Sequence, residues 1–162
     1  MRSRIRWIQL MTLTIVCLFG FTASAEEVDQ KAGEKEEDYR NRIAFFGGNT
    51  QDGSENGLSG GLSYEFFLGS HFGVGGAVEY AGGDFDSWVI IAPLFLHPYA
   101  GWGFWVAPGV EIEDGETNFL FRIGLGYEFE LWPRWSLGPE FNADFSDGET
   151  KLVYGLTLSL KF

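Results

Sequence analysis

The chain has 162 residues, 45% of them hydrophobic and 17% aromatic, and a formal net charge of −12. Such an acidic balance excludes nucleic acid and anionic lipid as unassisted partners. The single cysteine, Cys17, lies in the apolar N-terminal stretch, so the remainder offers no disulfide or thiolate chemistry.

Arg2, Arg4 and Arg6 precede an apolar run over 7–21 and the small-residue site Ala23-Ser24-Ala25. This pattern reads as a signal peptide over 1–25 that is cleaved after Ala25. A retained membrane anchor is the competing reading, but the run is shorter than the roughly 20 residues a spanning helix needs. Val16 is too bulky for the position before a lipoprotein cysteine. Residues 26–41 are mostly charged or small and lack apolar periodicity, and read as a charged flexible leader. Eight basic residues then stand against 23 acidic ones, a mature net charge of −15. Residues 42–162 form one domain, with no room for a second.

Within that domain a period of two recurs eight times, predicting strands over 42–49, 58–68, 72–81, 88–96, 100–113, 118–131, 135–145 and 152–162. The fourth is the least regular, because Val89-Ile90-Ile91 is apolar on both faces. In the sixth, Phe119, Phe121, Ile123, Leu125, Tyr127, Phe129 and Leu131 oppose Asn118, Arg122, Glu128 and Glu130. In the last, Leu152, Tyr154, Leu156, Leu158, Leu160 and the terminal Phe162 form a wholly apolar face against Lys151, Thr157, Ser159 and Lys161. A strand with lipid on one side and a polar interior on the other has this pattern. Tyr154, Leu156, Leu158, Leu160 and Phe162 read as an assembly signal for the barrel-assembly machinery.

Short turns are expected at 69–71, 97–98 and 132–134, and acidic loops at 50–56, 82–87, 114–117 and 147–150. An even strand number puts both termini on the periplasmic side with the short turns, and the acidic loops outside. Asp-Gly-Glu-Thr occurs at both 114–117 and 147–150, suggesting related hairpins; Asp-Gly turn chemistry explains the same repeat.

The fold class is all-β: an eight-stranded antiparallel up-and-down transmembrane barrel. A water-soluble lipocalin-like barrel would have to fit the aromatic face into an eight-stranded lumen, which is too narrow for it. Parity directs Arg42, Glu65, Glu79, Glu111, Arg122, Glu128, Glu130, Glu140, Asp144, Lys151 and Lys161 into that lumen. Arg122 is expected opposite Asp144, with Glu111 and Lys151 on the flanking strands and Glu130 and Lys161 near Ser136. Such groups must pair or meet trapped water. They form either a gate or ion path, or a polar plug tying strands together; the narrow interior favours the plug.

In strand count, alternation, short turns, aromatic strand ends and terminal Phe162, residues 42–162 resemble the OmpA/OmpX-type outer-membrane barrels. The resemblance implies a cell outer-membrane location and a structural, host-interacting or stress-related role. The chain lacks the peptidoglycan-binding domain of OmpA and the long protruding strands of OmpX. A conduit for ions or small hydrophobic solutes is the alternative, and a lipid-modifying enzyme a third. A lipid A deacylase of this size resembles a Ser-His-Glu hydrolase with a His-x-Ser element, but His97 is followed by Pro98 and Tyr99. His71 follows Ser70, and both histidines fall in expected periplasmic turns. With no base on the external side, no enzyme is expected.

Asp52, Glu55, Asp84, Asp86, Glu113, Asp114, Glu116, Asp147 and Glu149 form an acidic outer rim. They could hold Ca²⁺ or Mg²⁺ bridging to lipopolysaccharide phosphates, or be ordinary solvated turns; no dedicated metal-ligand spacing and no cofactor motif is present. Phe72, Trp88, Tyr99, Phe119, Trp132, Trp135, Phe145 and Phe162 fit two interfacial girdles. The expected partners are outer-membrane lipids and lipopolysaccharide, with the chain a monomer.

Overall fold

A computed structural model describes residues 39–99 and 101–162; the signal peptide expected over 1–25 and nearly all of the leader expected over 26–41 lie outside the described residues. The alternating pattern forms ten strand segments: β1 (Asn41–Asp52), β2 (Glu55–Phe67), β3 (Phe72–Ala81), β4 (Ser87–Ile91), β5 (Leu94–Leu96), β6 (Trp102–Glu113), β7 (Glu116–Tyr127), β8 (Phe129–Trp132), β9 (Trp135–Ser146) and β10 (Glu149–Lys161). Each pairs antiparallel with its neighbours, and β10 pairs with both β9 and β1, so the sheet closes on itself. β4 and β5 lie in line between β3 and β6, while β7 and β8 lie in line against β9. The wall is therefore an eight-stave barrel with no free edge.

The chain ends meet on one rim, where Asn41 N donates to Phe162 O at 3.0 Å and Phe162 N to Asn41 O at 2.9 Å. The connections 68–71, 97–101 and 133–134 share this terminal rim; 53–54, 82–86, 114–115 and 147–148 form the opposite, acidic rim. The expected contrast in loop length is absent. Strands run further than the alternation suggested, and the acidic loops expected at 50–56, 114–117 and 147–150 contract to two-residue turns. The Asp-Gly pairs explain this: Asp114 and Gly115 have φ of 50° and 82°, and Asp147 and Gly148 of 47° and 84°. Positive φ at both central residues marks the hairpin turn whose twist matches the strands, so the two Asp-Gly-Glu-Thr repeats make the same turn. What distinguishes the rims is charge.

Parity sorts the side chains as a membrane barrel requires. Phe45, Leu62, Tyr64, Trp88, Ile90, Phe119, Phe141, Leu156 and Phe162 are exposed on the outer face. The segment apolar on both faces resolves cleanly, with Trp88 and Ile90 outward and Val89 and Ile91 buried within. Val89 and Ile91 join Ala107 and Leu120 in an apolar luminal cluster, with Ala77 against it. The interior is thus less uniformly polar than expected. Phe95 is buried there, and the ring of Phe46 lies over Gly48 and Gly155, where a Cβ on either glycine would strike it.

Candidate functional site: the charged lumen

Among the described residues, three cations form ion pairs across the barrel. Lys151 on β10 reaches Glu111 on β6, Arg122 on β7 reaches Glu79 on β3, and Arg42 on β1 reaches Glu128 after β7. In an eight-stave wall each pair joins staves three apart, so each spans the lumen.

Near the acidic rim, Lys151 Nζ donates to Glu111 Oε1 and to Glu113 Oε2, both at 2.8 Å. Its ammonium also lies 5.2 Å from the ring centre of Phe85. Phe85 is buried although it belongs to the 82–86 connection. Bonds to two of its side chains help hold that connection in place: Asn56 N donates to Asp84 Oδ2 at 3.1 Å, and Tyr80 OH to Asp86 Oδ1 at 2.6 Å. The loop thereby lays an aromatic ring over the uppermost ion pair.

Deeper in the lumen, Arg122 uses its planar fork twice. Nε and Nη2 donate to the two oxygens of Asp144 at 2.5 and 2.6 Å, while Nη1 and Nη2 reach Glu79 at 2.9 and 3.3 Å. All three side chains are buried. Coulomb attraction and charge-assisted bonds offset their desolvation, so one cation answers two anions. Closer to the terminal rim, Trp105 Nε1 donates to Asn142 Oδ1 at 2.9 Å and Asn142 Nδ2 to Glu140 Oε1 at 2.9 Å; Thr157 Oγ1 donates to Glu140 Oε2 at 2.5 Å. The indole fits only because Gly124 has no side chain, since a Cβ there would lie 2.0 Å from the ring.

At the terminal rim, Arg42 Nη2 stands 2.7 Å from Glu65 Oε2, an electrostatic contact outside hydrogen-bond geometry, while Nη1 donates to Glu128 Oε1. Glu128 also accepts from Ser136 Oγ at 3.2 Å and Ser159 Oγ at 3.5 Å, with Lys161 Nζ 3.6 Å away. His97 Nε2 lies 2.7 Å from Glu65 Oε1, and its ring stacks on Phe95.

Ten of the eleven residues assigned to the lumen by parity meet in these groups. Glu130 does not: it pairs with Ser136 across β8 and β9 but is exposed, and Glu128 is the acid that contacts Lys161 and Ser136. The sixth stave breaks after Tyr127, yet Glu130 still pairs with Ser136, and the irregularity of β8 comes only beyond it, before Trp132, so the alternation holds through Glu130. His97, Glu113, Trp105 and Phe85 were missed as luminal groups. Trp105 has the parity of Glu111 and was readable; Phe85 showed only as a lone large apolar residue in an acidic loop. Tyr154, Leu156, Leu158, Leu160 and Phe162 share the outer face of the last stave and its end. Ser70 Oγ and His71 Nδ1 are 2.7 Å apart, but both side chains are exposed in a turn. Among the described residues, no group of three or more His, Cys, Asp or Glu could hold a metal ion.

No family model and no curated protein sequence matches the chain. Solved structures do. The N-terminal β-barrel domain of Pseudomonas aeruginosa OprF superposes with a TM-score of 0.59 at 12% identity, covering 76% of this chain and 98% of that one. Ail, the attachment invasion locus protein of Yersinia pestis, gives 0.55 at 13% in its bilayer-nanodisc structure, over 75% and 99% of the two chains. Neisserial surface protein A gives 0.55 at 9%, over 75% and 96%. The chain has the fold of the small eight-stranded outer-membrane barrels.

Proposed function

We propose that this chain is an integral outer-membrane protein with a structural or surface-interaction role, its lumen plugged and its wall supplying no catalytic centre. The observation that carries this reading is the set of ion pairs by which Arg42, Arg122 and Lys151 cross an eight-stave lumen, reinforced by the inward rings of Phe85, Trp105 and Phe95. An interior of this width is filled by side chains. These are locked in pairs, and an ion would have to break a buried pair to pass. The only luminal imidazole, His97, is engaged by Glu65, while Ser136 and Ser159 are turned to Glu128. That carboxylate is itself tied to Arg42 and Lys161, which makes it a poor base for either serine.

Interaction then falls to the lipid-facing wall and the rims. With the acidic rim outward, its carboxylates other than Glu113, which Lys151 holds in the lumen, meet the lipopolysaccharide layer, where divalent cations would bridge them to phosphates. Assembly would run through the barrel-assembly machinery, and the product would be a monomer.

Planar-bilayer conductance of the refolded mature protein tests this. The wild type is expected to be silent and Arg122→Ala to show discrete current steps. Steady wild-type conductance would make the charged lumen a permeation path and overturn the plugged reading.

A further inference from the structure

Two prolines interrupt the wall at one height. In an antiparallel ladder a hydrogen-bonded residue pair exchanges two bonds. Ala92 falls opposite Pro108 in the register running from Ile91 and Gly109 to Leu94 and Val106. Ala92 N donates to Pro108 O at 2.9 Å, but Pro108 has no N–H to return. On the other side of the same stave, Gly75 N donates to Pro93 O at 3.0 Å, and Pro93 likewise returns nothing. The carbonyls of Ala92 and Gly75 each lose a ladder donor, and β4 and β5 part between them. A strand proline alone does not do this. Pro139 also lacks a donor, yet β9 runs unbroken from Trp135 to Ser146.

The break has thin cover and an apolar backing. On the outer face, the register aligns Gly76, Ala92 and Pro108 across three staves, a row of small side chains between larger ones. On the inner face lies the cluster of Val89, Ile91, Ala107 and Leu120, with Ala77 against it. The acids of these staves, Glu79 and Glu111, sit two residues further toward the acidic rim than Ala77 and Gly109, and their ion pairs hold them there. Within hydrocarbon no water replaces a missing ladder bond. Val89 lies between Glu79 and Glu111 and Ala107 beside Arg122, but Ile91, next to the break, has only Ala77 and Gly109 at its sides, so parting the wall here exposes carbon first.

We infer that β3, β4, β5 and β6 form a lateral seam that opens transiently at Ala92 and Pro93 and admits lipid acyl chains to the Val89–Ile91–Ala107–Leu120 cluster. The opening is sideways, so it is independent of whether ions pass along the barrel axis.

The test is NMR of the methyl-labelled mature protein in nanodiscs containing a lipid with a nitroxide near its chain end. Relaxation enhancement at the Leu120 and Ile91 methyls should exceed that at Val153, equally buried in the lumen on β10, by roughly twofold, and the Ala92 amide should exchange about tenfold faster than that of Leu156. Pro108→Val restores an N–H facing the Ala92 carbonyl from an outward position and should remove both differences. Equal enhancement at Leu120 and Val153, with Ala92 as protected as Leu156, would overturn the inference. So would differences that persist unchanged in Pro108→Val. If that variant does not fold, the wild-type contrast decides alone.

Discussion

Arg122 carries more of the interior than any other side chain, because one guanidinium satisfies carboxylates from two staves. Arg122→Ala leaves Glu79 and Asp144 buried beside each other without a counter-ion. The expected loss is about 3–5 kcal/mol, read as a lower urea midpoint in lipid vesicles. Half of this arrangement was readable in the sequence. Asp144 lies opposite Arg122 on the neighbouring stave, so alternation and a short turn suffice to pair them. Glu79 is reached only across the lumen, and which residues face each other there depends on the stagger of the closed wall, which no local pattern encodes. Glu130 keeps its parity opposite Ser136, but it stands exposed on the short β8 rather than among the buried pairs.

Strand existence was readable for all eight staves, and strand ends were not. Alternation fades where both faces become polar, so 50–56 looked like a loop although it holds the ends of two strands and a two-residue turn. The prolines of the fourth and fifth staves were visible, but their convergence at one height required the register. β7 shows how a strand is fitted to its neighbour's side chain. Gly124→Ala would drive a methyl into the indole of Trp105 and break its bond to Asn142. The expected cost is about 1–3 kcal/mol, accompanied by a red-shifted Trp emission as the indole leaves its half-buried site. Unchanged emission and stability would show that the indole has room to move.

At the scale of the whole molecule, closure depends on the first and last staves finding each other. Asn41 and Phe162 exchange two backbone bonds at the seam between chain ends, and Phe162 adds an exposed ring at the terminal rim. Deleting Phe162 removes both, and the expected result is a fall in membrane-inserted protein by severalfold, measured as heat-modifiable barrel in outer-membrane fractions. Undiminished yield would show that the last ring is dispensable for assembly. The membrane class was plain in the alternation because lipid and lumen impose opposite demands on successive residues.

The placement of cations along the chain has a consequence for the order of events. Arg42 enters with the first stave and Lys151 with the last, whereas their carboxylate partners Glu128, Glu111 and Glu113 belong to the middle of the chain. Until β10 docks, Glu111 and Glu113 face inward with no cation between them. Arrival of the final hairpin therefore sets one ammonium between these two carboxylates in the same step that completes the circuit of strands. Contacts so distant in sequence make for a slow, late transition, and a half-built wall is electrostatically marked as unfinished.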